Sequence, residues 1–417
     1  MPASNIDFST ITQVIHFSVI PAANGTLDST DGSISPTGSA AVVAAAHSAG
    51  RQALICVGGS DSEPLFQDAT TAANLLAFVG NLTNFMASRG YDGVDIDWEP
   101  LPSTDAPQFT NLVNRLRSAL NGFPAHKLLT VAAGAYPPYG DSPTADYEMF
   151  ASLQGQIDQI NIMTYDLAGP YPGWVTWFNS PIYDGGYRFP STGGLLPSAD
   201  GAVSNYLTNG VAAAKLGLGV AFYGCLWTGG SGTWPACITG PRQSWTNAPT
   251  LTDLAYSDIM AAYYQSNLYQ WDTNAQAAYL GITNLIPTNN IFISYDDART
   301  CAAKVSYVRN RALGGLMIWE LAQDHIGTQP GPLVQALKQA VATPGWTELR
   351  PSGPNMNLTF NSIALGSYGI QYKNNLTDAW STLVVTNVSG GGGKLTVTDI
   401  GAATNQSRRF YRVQTPP

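Results

Sequence analysis

A (β/α) barrel of the TIM type is the fold this sequence predicts, with an α+β insertion and a small all-β module after it. Three observations lead there. Short runs apolar on both faces recur with helical stretches between them, the pattern of a parallel sheet covered on each side. The length, 417 residues, suits one large barrel plus an extra module. The alternation then fails twice, between Tyr223 and Asn290 and again after Pro344.

Residues 14–20 (Val-Ile-His-Phe-Ser-Val-Ile) are β-branched and aromatic and read as the first strand. The Ala-rich residues 39–49 read as a helix, and residues 53–57 as a strand closed by Gly58-Gly59. Residues 75–88 have helical apolar spacing, and residues 93–98 return to strand. A helix over 109–120 and strands at 128–133, 157–163 and 216–222 follow. Strands at 291–293 and 315–319 precede a last helix over 332–341, which Pro344 ends. With 291–293 assigned to the insertion, seven barrel strands remain by count.

The insertion, at about 224–290, holds Gly229-Gly230-Ser231-Gly232, several aromatics and a helix-like stretch over 258–264. It follows a barrel strand, on the face where barrel active sites lie. The barrel domain is thus residues 1–343, with Pro351 to Pro354 signalling a linker over 344–354. Alternating runs at 358–360, 368–372, 382–385, 394–398 and 410–413, separated by Asn, Asp and Gly clusters, make 355–417 an all-β module.

The formal charge is −9, from 19 basic and 28 acidic residues, so there is no footprint for a nucleic-acid backbone. No window approaches 18 consecutive apolar residues, so no membrane span is expected. Residues 1–10 have neither a basic n-region nor an apolar h-region, so no signal peptide is read. Few charges beside 42 Gly, 27 Pro, 20 Tyr and 10 Trp suit a carbohydrate partner, whose hydroxyls take neutral hydrogen bonds and whose ring faces stack on aromatics. Trp174, Trp177, Trp227, Trp234 and Trp271 are candidate platforms. No His/Cys spacing matches a zinc site, so neither metal nor cofactor is expected. Cys56 lies in an apolar run and reads as a buried thiol, whereas Cys225 and Cys237 flank a Gly-rich loop and could pair under oxidising conditions.

The chemistry centres on Asp92-Gly93-Val94-Asp95-Ile96-Asp97-Trp98-Glu99. Strand alternation puts Asp95, Asp97 and Glu99 on one face, about 6–7 Å apart in succession, and Val94, Ile96 and Trp98 on the other. Three such neighbours cannot all ionise cheaply, so at least one holds a proton near neutral pH and can serve as a general acid. Asp92, of opposite parity, and Gly93 read as structural.

Asp-x-x-Asp-x-Asp-x-Glu resembles the signature of glycoside hydrolase family 18, the chitinases and their relatives. Other segments resemble that family in the same order. They are residues 53–60, ending in a Ser-x-Gly-Gly-like turn where Cys56 replaces the usual Ser, Met163-Thr164-Tyr165-Asp166, residues 218–224, 294–297 and 315–320. The resemblance covers roughly residues 7–342 and implies a barrel that opens with a strand before residues 14–20. Only about ten residues precede them, so a barrel lacking its first strand is expected.

The resemblance further implies retaining, substrate-assisted hydrolysis of chitin or chitooligosaccharides, with the 2-acetamido carbonyl as nucleophile. Glu99 is then acid and base, Asp97 orients the acetamido group, Asp95 tunes Asp97, and Tyr165 donates to the acetamido carbonyl. Candidate substrate contacts are Asp166, Trp319, Met163, Tyr223, Phe17 and Trp98. The alternatives are an endo-β-N-acetylglucosaminidase acting on glycan cores and a non-catalytic chitin-binding relative. A monomer secreted by a bacterium is expected, since chitin cannot enter a cell.

Overall fold

The structure, a computed structural model, describes residues 1–30, 34–136, 145–231, 238–326, 331–342, 346–362, 367–387, 393–405 and 408–414. The chain divides into two compact units, residues 1–300 with 312–334, and residues 301–311 with 335–417.

In the first unit, β1 (Gln13–Pro21) leads through the two-residue β2 (Leu27–Asp28) to α1 (Pro36–Ser48), whose Ser35 side chain caps Gly38 N. Then come β3 (Gln52–Gly59), α2 (Glu63–Ala69), α3 (Leu75–Arg89), β4 (Gly93–Trp98), α4 (Ala106–Leu120) and β5 (Leu128–Gly134). Next are α5 (Ala145–Leu153), β6 (Gln159–Met163), α6 (Ala199–Thr208) and β7 (Leu216–Ala221). The insertion supplies β8 (Tyr223–Thr228), β9 (Thr250–Ala255), α7 (Tyr256–Ala262), β10 (Tyr269–Asp272), β11 (Ala277–Ile282) and β12 (Ile291–Tyr295). Then α8 (Ala298–Asn310) runs mostly in the second unit, and β13 (Gly315–Trp319) completes the barrel sheet of the first.

That sheet runs β13-β7-β6-β5-β4-β3-β1-β2. Since β2 is antiparallel to β1, the parallel strands are the seven expected, and no pairing of β13 with β1 is present among the described residues. Register sorts the strand residues into two rows of different character. Val57, Ile96, Val131, Ile160 and Leu216 form one continuous row, all fully buried. Of opposite parity, Cys56, Asp95, Thr130 and Gln159 form a second row on the inner face. The insertion is a five-stranded antiparallel sheet, β10-β11-β12-β8-β9, with α7 against it. It therefore extends to Tyr295, five residues past the expected end, because β12 pairs with β8 and β11.

Residues 164–198, between β6 and α6, form a long loop whose one ladder contact is an isolated bridge, Arg188 with Leu195. It is ordered by a second core of Val175, Trp177, Phe178 and Leu196 against Cys225, Trp227, Ala277 and Phe292 of the insertion sheet. Trp177 and Trp227 are fully buried there, so two of the five candidate platforms are core residues. Trp234 and Cys237 lie outside the described residues. Cys225 is a buried thiol donating to Asn179 Oδ1 at 3.3 Å.

Gly93 shows how tightly the strand under the acidic motif is packed. A Cβ there would lie 2.3 Å from Leu128 O and 2.8 Å from Leu128 Cβ. Gly93→Ala is expected to destabilise the protein by about 1–3 kcal/mol, the usual cost of overpacking, read as a lowered barrel melting transition. A melt equal to that of the unmodified protein would refute it.

In the second unit, α9 (Pro332–Ala342) precedes β14 (Trp346–Ser352), β15 (Asn355–Ser362), β16 (Ser367–Lys373), β17 (Ser381–Asn387), β18 (Gly393–Asp399), the short α10 (Ala402–Asn405) and β19 (Phe410–Gln414). Two three-stranded antiparallel sheets, β14-β15-β18 and β17-β16-β19, enclose Leu358, Phe360, Tyr368 and Ile370. The expected linker over 344–354 is corrected here, because residues 346–352 pair with β15. Pro351 is tolerated since β14 is an edge strand, and Gly353, at φ 60°, makes the hairpin turn. No helix among the described residues is long and apolar enough to cross a membrane.

Candidate active site

The acidic motif lies on β4, between β3 and β5 near the middle of the sheet, and every residue from Gly93 to Trp98 is buried. Asp92, just before the strand, braces the backbone. Its Oδ2 accepts from Ala53 N at 2.9 Å and lies 2.8 Å from His47 Nε2, consistent with a structural role. Asp95 is 4% exposed, and its Oδ1 accepts a hydrogen bond from Thr130 Oγ1. Burial pushes its carboxyl up to about 6, against the hydrogen bonds from Thr130 and Cys56.

One step toward the strand's C-terminal end, Asp97 is 7% exposed, and its carboxyl is hydrogen-bonded to Glu99. Burial first, then the charges of Glu99 and Asp95, hold Asp97 well above the usual carboxylate range. Glu99 is raised by burial, opposed by the hydrogen bond from Asp97. The pair therefore shares a proton, held on the Asp97 side and donated toward Glu99. Asp97 Oδ1 is buried and has no hydrogen-bond partner. Gly58 makes the space for this row, since a Cβ there would lie 2.1 Å from Asp97 O. Ser62, which the sequence reading missed, pins the strand end: its Oγ accepts from Glu99 N at 3.1 Å and donates to Asp97 O at 3.2 Å.

Asp95 sets a sign for stability against pH. Its folded value, about 6, exceeds its ordinary 3.8, so between these the folded state binds more protons than the unfolded one. Stability from this group is thus greatest at low pH and is lost as pH rises through about 6. Asp324, 1% exposed and likewise raised to about 6 by burial, adds to the same trend. Asp95→Asn is expected to flatten the fall in melting temperature between pH 4 and 6.5, by on the order of 1–3 kcal/mol. An unchanged slope in the variant would refute the assignment.

Tyr165, 7% exposed, follows β6 and packs with Tyr223, Ala221, Met163, Met317 and Trp319. Its hydroxyl lies 3.7 Å from Met317 Sδ, and burial, then the Asp97 charge, keeps it protonated as a donor. Tyr223 donates to Asp166 Oδ1 at 2.6 Å. Asp166, at φ 55°, is raised by burial against that hydrogen bond. Its backbone N–H donates to Asn179 Oδ1 at 2.9 Å. Asn179, 1% exposed and deep in the loop after β6, organises this corner, and no sequence pattern signals it. Phe17 on β1 meets Trp319 on β13 edge-on at 4.7 Å, its ring 38% exposed.

The structure therefore gathers Asp95 and Asp97 on β4 with Glu99 directly after it, and Tyr165, Tyr223, Asp166, Met163, Trp319 and Phe17 in aromatic or hydrogen-bonded contact with one another or one shared cluster. Trp98 is the correction among the candidate contacts. Alternation turns it the other way, where it stacks on Phe66 of α2 at 4.6 Å and 7° and meets Phe109 of α4 edge-on, 2% exposed. Asp166, Cys225 and Asp253 bring three ligand-type atoms within 4.8 Å. Burial, then the Asp166 and Asp253 charges, keeps the Cys225 thiol protonated, which makes it a hydrogen-bond donor and a poor metal ligand.

A sequence profile described as "Glycosyl hydrolases family 18" matches residues 3–324. Chitinase A1 of Niallia circulans is 32% identical over 342 residues, 75% of this chain and 47% of its own. The chain thus spans about half the length of that curated relative. Among solved structures, the Group IV chitinase of Ostrinia furnacalis in complex with allosamidin superposes with a TM-score of 0.68 at 21% identity, covering 82% of this chain and 94% of that one. The chitinase-like agglutinin of Robinia pseudoacacia superposes with a TM-score of 0.64 at 23% identity, covering 82% and 96%.

Proposed function

The chain belongs to glycoside hydrolase family 18, and on that premise we propose that it hydrolyses β-1,4 linkages in chitin and chitooligosaccharides by substrate-assisted catalysis. The buried, unpartnered Asp97 Oδ1, beside a carboxyl pair sharing a proton, carries the reading. Asp97, on β4, and Glu99, just past its end, are hydrogen-bonded to each other and cannot flank a sugar ring from opposite sides, so a protein carboxylate is badly placed as nucleophile. A 2-acetamido N–H satisfies Asp97 Oδ1. To accept it, Asp97 gives its proton to Glu99, which is then charged as the acid.

The acetamido oxygen, polarised by the Tyr165 hydroxyl, attacks the anomeric carbon as Glu99 protonates the leaving glycosidic oxygen. An oxazolinium ion forms beside Asp97. Glu99, now a carboxylate, takes a proton from water as its oxygen adds to the same carbon, and the acetamido group is released with configuration retained. Asp166 and Tyr223 line the acetamido side, and Trp319 with Phe17 supplies the aromatic floor. Secretion is part of this proposal, since the substrate is an insoluble polymer.

The test uses paired aryl glycosides of di-N-acetylchitobiose and cellobiose, which differ in the 2-acetamido group. Release from the first with retained configuration, and none from the second, is expected. Turnover of both, or inversion, would overturn the mechanism. The edge of β13, which among the described residues pairs with β7 alone and not with β1, favours one competing reading, a binding protein without turnover. Tetra-N-acetylchitotetraose bound but never cleaved would establish it.

A further inference from the structure

The C-terminal stretch from residue 335 differs sharply in charge from the rest of the chain. Residues 335–417 carry seven Lys and Arg (338, 350, 373, 394, 408, 409, 412) against three acids (348, 378, 399). Subtracting these from 19 and 28 leaves 12 basic and 25 acidic residues elsewhere, so a module of +4 is joined to a remainder of −13. Such asymmetry points to an electrostatic partner for the basic part.

Register concentrates the charge on one sheet face. Gln371 pairs with Arg412 and Lys373 with Phe410 between β16 and β19, and beyond that ladder Arg408 donates to Asn375 Oδ1 at 2.8 Å. By alternation Gln371, Lys373, Phe410 and Arg412 share a face, and Arg408 lies just ahead of β19, tied to Asn375 beyond Lys373. The opposite face turns Ile370, Tyr411 and Val413 into the module core. Lys373 Nζ lies 4.8 Å and the Arg412 guanidinium 4.5 Å from the Trp380 ring centre, so one indole holds two cations beside each other. Arg412 Nε donates to Gln371 Oε1 at 2.8 Å, which fixes the fork.

No described carboxylate forms an ion pair with Lys373, Arg408 or Arg412. Asp399 is taken by Arg409 at 2.6 Å and by Tyr411 at 2.8 Å, and Asp378 accepts from Asn375 N at 2.8 Å. Asn375 stands between Arg408 and Asp378, donating to that carboxylate through Nδ2 at 3.1 Å, so the three cations outnumber the one acid beside them and form a preorganised anion site. Trp380 and Phe410 add apolar surface between the cations.

We propose that this face of the β17-β16-β19 sheet binds an acidic polysaccharide, with Lys373, Arg408 and Arg412 meeting its carboxylates and Trp380 and Phe410 its sugar rings. A glycan with one charge per ring suits three separate cations set beside two aromatic rings, on which sugar faces can stack. The face is independent of the carboxyl site and does not rest on the hydrolytic reading.

The test is affinity electrophoresis of the full chain in gels containing polygalacturonate, uncharged hydroxyethyl cellulose or single-stranded DNA. Retardation by polygalacturonate alone, lost on raising sodium chloride from 20 to 300 mM, is the expected result. Lys373→Gln with Arg408→Gln, which keeps hydrogen-bonding capacity and leaves Arg412 on Trp380, is expected to weaken retardation at least fivefold. Hydrolysis of the chitobiose glycoside should be unchanged. No retardation of the unmodified protein, equal retardation of the folded double variant, or stronger retardation by DNA would each overturn the proposal.

Discussion

Glu99→Gln is expected to lower kcat on unmodified chitotetraose by about 10²–10⁴-fold, the range supplied by a positioned general acid, or about 3–5 kcal/mol of transition-state stabilisation. The amide preserves shape, so the melting temperature should hold or rise slightly, because a carboxyl raised by burial is removed. The effect should depend on the leaving group. An aryl glycoside with an acidic phenol needs little proton donation at the first bond cleavage, so its first turnover should fall less than that of the oligosaccharide. Pre-steady-state release of the phenol, compared with oligosaccharide cleavage followed by chromatography, measures the difference. Equal losses on both substrates would mean that Glu99 acts only by holding the site together. Full activity of the variant would remove it from the chemistry.

Trp98→Ala carries the largest expected effect on stability. Its indole is 2% exposed, stacked on Phe66 and set against Phe109, so it ties β4 to α2 and α4 directly behind the acidic motif. Truncating a buried Trp costs about 3–5 kcal/mol. In a unit of this size, that lowers the barrel transition by on the order of 10 °C. Trp98→Phe keeps one ring in the stack and should lose less than half as much. Both are read by scanning calorimetry, with each unit's transition followed separately. Were Trp98 a substrate contact, the variants would instead raise KM with the melting transition intact, and that result would restore the expectation set aside above.

Much of the barrel is written in local pattern. Runs such as residues 53–57 are apolar on both faces because the sheet buries both, residues 93–98 are buried throughout although one face carries carboxyls, and the seven parallel strands follow from such runs. Strand alternation alone places Asp95, Asp97 and Glu99 on one side and Trp98 on the other. The same rule shows that Trp98 belongs to the helix layer, although its place beside Glu99 made it a candidate contact. Helices over 145–153, 199–208 and 298–310 were not anticipated, and Pro351, a sign of a linker by composition, sits on an edge strand.

By itself, then, the sequence determined the carboxyl row, the glycines that leave room for it and the character of each strand, because these depend on neighbours one or two residues apart. Only the tertiary structure decided which distant groups serve that row. Thr130 reaches Asp95 through the register of β4 and β5, and Ser62 meets Glu99 across a β-strand end. Asn179 comes from a long loop held by the insertion core, and the Trp177 and Trp227 side chains are spent on that core. The physical reason is that hydrogen-bond partners and ring contacts far apart in the chain carry no spacing signal. Burial raises the carboxyls only once the chain has closed around them.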